Sequence, residues 1–283
     1  MPMEPHSFRR LVLGLQPSAA NRTIRIAVEL ADLLYLELLG LFLDDTNLRD
    51  LANIPFAREF RPLGGGWQTI ELDRLSYDFE LAARSIERMF TRAAKHLATR
   101  YQFEVARGPT AKTIATISRT DDIIMIIEPM SPAERATQQF SWLMQAAFES
   151  AAAVMLVPPH IVRTKGPIAA IATSPDDPSM HVAAAVAIAA KEELVIIEAD
   201  GHDMEDPRVR SLTYAGLTIK RMATAKTGLP DPATCAQAFR QVQERLIVMT
   251  RGAFRDDMAS TIAAARRVPV LVVEPPSDAK PAP

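Results

Sequence analysis

The sequence predicts an α/β fold built twice over: two tandem domains, residues 1–159 and 160–283, each a doubly wound five-stranded parallel sheet. Three observations predict it. Short apolar runs of strand length alternate with segments whose apolar residues recur at three and four positions, which is how strands and their covering helices read. The cycle passes through five strands, stops at Pro158 and Pro159, and begins again. The chain has 283 residues, 48% hydrophobic and 23% charged, so it can bury a real core, and the repeat rather than the length sets the number of domains.

In the first cycle, Leu11 to Leu15 is a continuous apolar run ended by Gln16, Pro17 and Ser18, a strand followed by a turn and a helix cap. Ile24, Ala27, Val28, Ala31 and Leu34 mark one face of the helix that follows, and Leu36 to Leu43 is the second strand, cut off by Asp44 and Asp45. Strand, helix and strand at this spacing make a right-handed crossover between parallel strands. Thr46 to Gly66 reads as a loop, with Gly64, Gly65 and Gly66 making it flexible and not a phosphate cradle, since no apolar strand precedes them. A long helix carries Phe79, Ala82, Ala83, Ile86, Met89, Phe90, Ala93, Ala94 and Leu97 on its buried face, Tyr101 to Ala106 is the third strand, Thr110 to Ser118 a short helix, and Ile123 to Ile127 the fourth strand. Ser131, Pro132 and Glu134 have the spacing of a helix start for a segment reaching Ser150, and Ala153 to Val157 is the fifth strand.

After a linker from His160 to Lys165 the second cycle is shorter. Its strands are Ile168 to Ala172, Leu194 to Ile197, Leu217 to Met222, Leu246 to Met249 and Val270 to Val273. Asp177 and Pro178 start one helix, Asp231 and Pro232 another, and Arg255 to Arg266 is a third; Pro207 to Tyr214 stands in for the long helix of the first cycle.

Composition removes several classes of function. The formal net charge is −2 and the basic residues form no stripe, so no nucleic-acid footprint is visible. The one cysteine, Cys235, has no internal disulfide partner; it reads as a small packing residue of a reducing compartment, with a catalytic thiol as the sharper alternative. No signal peptide and no membrane-length apolar run is seen, so a cytoplasmic protein without membrane contact is expected.

Two segments carry a family likeness: Leu15-Gln16-Pro17-Ser18 at the first strand end, and Arg267-Val268-Pro269-Val270-Leu271-Val272-Val273 at the close. With the order of elements, they make the chain resemble the universal stress protein family in its tandem form, whose fold is adenine nucleotide alpha hydrolase-like. The resemblance implies a stress-response role, and for ATP-binding members a loop G-x2-G-x9-G-[ST] after the fourth strand with an acidic residue at the end of the first. Bare backbone is needed there because amides must approach phosphate oxygens closely. In this chain Ile127, Met130 and Phe140 stand where the glycines belong, and Ser141 alone matches. The second half offers Met249-Thr250-Arg251-Gly252-Ala253, with one glycine, and the adenine-facing acid is replaced by Gln16 in one half and by Ala172 or Thr173 in the other. If a nucleotide bound at all, Gln16, Ser18, Ser141 and Gly252 would be its residues; no cofactor and no metal is expected.

Asp44, Asp45 and Glu128, with Glu198 and Asp200, crowd the carboxyl ends of the strands, where ligands of open α/β sheets bind, and would repel a polyphosphate unless neutralised. A divalent cation site is the alternative to a plain solvent boundary. His6, His96, His160, His181 and His202 have no ligand spacing, and no G-x-S-x-G elbow occurs. The family pairs its last strands across a two-fold axis, so the two domains are expected to pair within the chain, with a homodimer also open. Three readings stand: a non-catalytic stress-response module acting through protein contacts, a nucleotide-binding or weakly hydrolytic member with an atypical loop, and an enzyme or flavin carrier on a related adenine-binding fold.

Overall fold

Leu11, Leu13 and Leu15 pack into one cluster and Val12 into another, so the first strand is buried on both faces, as a strand inside a parallel sheet must be. The computed structural model describes residues 8–15, 21–44, 58–61, 66–69, 71–129, 132–150, 152–174, 177–198, 217–223, 238–253 and 257–275, with single positions at 46, 50, 54, 56 and 235. In chain order the first set of elements is β1 (Arg10–Leu15), α1 (Asn21–Leu34), β2 (Glu37–Asp44), β3 (Arg58–Arg61), β4 (Gly66–Thr69), α2 (Leu72–Ala94), β5 (Tyr101–Arg107), α3 (Thr110–Ile117), β6 (Asp122–Ile127), α4 (Pro132–Arg135), α5 (Gln138–Glu149) and β7 (Ala153–Val157). The second is β8 (Ile168–Ala172), α6 (Pro178–Ala190), β9 (Leu194–Glu198), β10 (Ile219–Ala223), a 3-10 turn at Phe239–Gln241, β11 (Leu246–Thr250), α7 (Met258–Arg266) and β12 (Val270–Val273).

Ten of these strands form one sheet in the order β10-β9-β8-β11-β12-β7-β6-β1-β2-β5. Each set of five therefore lies in the order third, second, first, fourth, fifth, and all neighbours within a set are parallel. The two sets meet at β12 and β7, which pair antiparallel with Leu271 opposite Met155. A pseudo-two-fold axis runs through that pair. Helices α1, α2 and α6 cover one face of the sheet with the cluster holding Leu11, Phe42, Phe90 and Ala187; α5, α7 and Phe239 cover the other with the cluster holding Val12, Leu41, Ile247 and Ile262.

Buried ion pairs tie the amino ends of the strands. Arg10 on β1 forks onto Asp122 on β6 at 2.9 and 2.7 Å, and the buried Glu244 before β11 accepts from Arg163 at 3.0 Å and from Arg266 at 2.8 Å. These pairs clamp sequence-distant segments where parallel strands start.

Three departures from the sequence reading have plain causes. Part of the expected loop is the hairpin β3–β4, whose rings Phe60 and Trp67 lie 5.4 Å apart. It is short and exposed, so no buried face imposes a visible period. The helix expected from Ser131 to Ser150 is broken, and Thr137 caps α5 by accepting from the Phe140 amide at 3.3 Å. Helix α2 begins at Leu72, a turn and more before its first deeply buried residue, Phe79. The expected helices at Pro207 to Tyr214 and after Asp231 lie outside the described residues, apart from the 3-10 turn.

Candidate functional site

In a sheet of this order the crossover helices leave the first and fourth strands toward opposite faces, which opens a crevice beyond their carboxyl ends. There are two such places, at β1 and β6 and at β8 and β11.

The second crevice is closed by the chain itself. Asp177, buried and at the N-terminus of α6, accepts on one oxygen from the Ser179 amide at 3.0 Å and from the Thr250 hydroxyl, and on the other from the Thr173 amide at 2.9 Å and hydroxyl at 3.0 Å. Ser179 turns its own hydroxyl to the Ile171 carbonyl at 3.1 Å. Helix N-termini attract anions because their first amides lack partners. Here a carboxylate of the protein already occupies that position, and the hydroxyl at the end of β11 is bound to it.

At the first crevice Glu128 follows β6 directly and is 2% exposed. Its amide donates to Val157 at 2.8 Å, and Arg135 from α4 reaches its carboxylate at 3.2 Å. Burial pushes the Glu128 carboxyl above its ordinary range, against the opposing pull of the Ser260 hydroxyl on α7 and of Arg135. The Glu128 carboxyl is thus taken up by groups of the protein, Arg135 and the Ser260 hydroxyl.

Arg251 is the pseudo-symmetric counterpart of Glu128, since its amide donates to Val273 at 2.8 Å as that of Glu128 does to Val157. Its guanidinium closes the C-terminus of α5, donating to the carbonyls of Phe148 at 2.7 Å, Ser150 at 3.1 Å and Ala152 at 2.9 Å. It also lies over the Phe148 ring and pairs with Glu274. Burial pushes the pKa of Arg251 down, and the nearby Glu274 charge opposes that. A cleft of about 540 Å³ opens beside it, lined among others by Ser141, Met144 and Phe148 of α5 and by Gly252 and Val272 from the second half.

The sequence-derived candidates fall as follows. Ser141 and Gly252, assigned to separate halves, line one shared cleft between them. Gly252 has φ +74° with open space where a Cβ would stand, a conformation that favours glycine. Gln16, Ser18 and Met130 lie outside the described residues, as do Asp45 and Asp200. Thr173 binds Asp177, and Ala172 is buried at the end of β8. The strand-end carboxylates are less repulsive than their number implies, because Arg107 approaches Asp44 at 3.3 Å and Arg135 approaches Glu128. No three His, Cys, Asp or Glu side chains among the described residues are placed to share a metal ion. Cys235 is fully buried, and His160 Nδ1 accepts a hydrogen bond from the Arg22 guanidinium at 2.8 Å. Sequence reasoning missed the roles of Arg251 and Thr250. Asp177 was legible as a helix cap, but its partner Thr250 lies 73 positions away, beyond any local pattern.

This strand order, carried twice around a central antiparallel pair, defines an α/β protein of the universal stress protein fold. The chain is similar over 96% of its length to the crystal structure of a universal stress protein from Archaeoglobus fulgidus DSM 4304, covering 98% of that chain with a TM-score of 0.67 at 14% identity. It is also similar to a functionally unknown protein from Pseudomonas aeruginosa PAO1, with a TM-score of 0.49 at 14% identity, over 95% of this chain and 94% of that one. At such identities the likeness is one of fold. No family model and no curated protein matches the chain. Among the described residues no helix is long and apolar enough to cross a membrane.

Proposed function

We propose that this chain is a non-catalytic, cytoplasmic stress-response module of the tandem universal stress protein type, with domains at 1–159 and 160–283, acting through protein contacts. The observation that carries this reading is Asp177. Its carboxylate takes the amide and hydroxyl donors at the second strand-end crevice, where a triphosphate would need them free. At the end of β6 the Glu128 carboxyl is likewise engaged by protein groups, Arg135 and Ser260. The pairing of β7 with β12 gives one chain the central contact that two copies would otherwise make.

One observation favours a second reading, a nucleotide-binding member with an atypical loop. Gly252 leaves open backbone beside Ser141 in the cleft between the halves.

A thermal shift separates the two. A micromolar site saturated by millimolar ATP adds about 4 kcal/mol to stability, several degrees in Tm. The proposal predicts no rise with ATP, ADP or AMP that depends on the crevice. A rise present in the native chain and absent in Thr250→Val would overturn it.

A further inference from the structure

Away from the strand ends, α1 and α2 lie side by side on one face of the sheet and enclose a groove of about 570 Å³. Both helices join parallel strands, so they run in the same direction. Arg88, Arg92 and His96 recur every four residues along and just past α2, one stripe of the helix, and Arg25 of α1 lines the same groove.

The charge in this groove is unbalanced. Three guanidinium groups line it against one carboxylate, Glu29. Among the described residues none of Arg25, Arg88 and Arg92 makes an ion pair, although Glu80 pairs with Arg84 on the same helix and seven other arginines pair with buried or half-buried carboxylates elsewhere. Among the described residues this stripe makes one hydrogen bond, from Arg88 Nε to the Arg84 carbonyl at 3.2 Å, which leaves the terminal nitrogens of Arg88 available. The helix dipole favours Arg92 in the last turn of α2 but works against Arg25 near the start of α1, so helix stability does not account for the set.

We propose that the groove between α1 and α2 binds a compact multivalent oxyanion, a small molecule carrying two or more phosphate or carboxylate groups. Guanidinium forks match such oxygens bidentately, which a lysine cannot do. Val28, Met89 and Ala93 supply an apolar floor, and the volume falls in the range of small-molecule sites. The site is distinct from the strand-end crevices, and a phosphate compound held here would leave Asp177 and Thr250 undisturbed.

The test is calorimetric titration of the full chain with pyrophosphate and, in a second arm, with citrate, which distinguishes phosphate from carboxylate as the preferred oxyanion. Binding of either anion is expected, weakened about tenfold or more in the double variant Arg88→Gln, Arg92→Gln and unchanged within about twofold in Lys95→Gln, which removes a neighbouring surface charge outside the groove. Circular dichroism of each variant confirms the fold. Absence of binding in both arms overturns the proposal, as does an equal loss in the lysine variant, which would mark nonspecific attraction.

Discussion

Asp177 does three things at once: it caps α6, holds Thr173 at the end of β8 and binds Thr250 at the end of β11. Removing a cap costs about 1 kcal/mol, and each buried donor left without a partner costs about 1–3 kcal/mol more. Asp177→Ala should therefore lower stability by about 3 kcal/mol in urea unfolding, and a loss under about 1 kcal/mol would show that the cluster is not coupled. Glu128 acts in the opposite sense. Its folded pKa is raised, so the native chain holds more protons than the unfolded chain across the interval between an ordinary carboxyl value and the folded one. Stability falls as pH rises through that interval, and the deficit is complete above it. Glu128→Gln should gain about 1 kcal/mol at pH 8, less what the half-exposed Arg135 contributes, and the gain should vanish toward pH 4. A variant equally less stable at both pH values would contradict this. Residue types at these positions were legible in the sequence. Their partners were not, because Asp177 and Thr250, like Glu128 and Ser260, meet only through the folded sheet.

At the scale of elements, α2 packs tightly against β2 at Gly40. A Cβ on Gly40 would stand 2.7 Å from the Phe90 ring, so the helix lies as near the sheet as it does because that position is bare. Gly40→Ala should cost about 1–3 kcal/mol by forcing the ring aside, while Gly14→Ala, whose Cβ would meet Leu43 at 3.5 Å, should cost under about 1 kcal/mol. Equal denaturation midpoints for the two variants would refute the packing argument. Elements with a buried face announced themselves in the sequence: β1, β6, β7, β8 and β12 are continuous apolar runs, and α1 has its three-and-four spacing. The hairpin β3–β4 did not, since the side chains of β4 face solvent, and the break before α5 did not, because no local pattern singles out Thr137 as its cap.

At the scale of the molecule, ten of the described strands form one sheet with helices on both faces, joined at its centre by the antiparallel pair β7 and β12. That join depends on fully buried apolar residues, Met155 and Leu271 among them, so Leu271→Asp places a charge in the common core of both halves. A loss of about 4 kcal/mol or more is expected, with the halves no longer unfolding as one calorimetric transition; a single transition at an unchanged temperature would contradict the account. The repeated cycle in the sequence predicted the two sets of strands, whereas the pairing of their last strands was expected from the family likeness and not from any residue pattern. Backbone amide NMR of the labelled chain titrated with ATP tests the central claim most directly, because it reports each crevice separately. The account predicts that Thr173, Ser179, Glu128 and Gly252 keep their shifts at millimolar ATP, whatever happens along Arg88 and Arg92. Saturable shifts at Thr173, Ser179 and Gly252 would show that a nucleotide displaces the Asp177 carboxylate, and would contradict it.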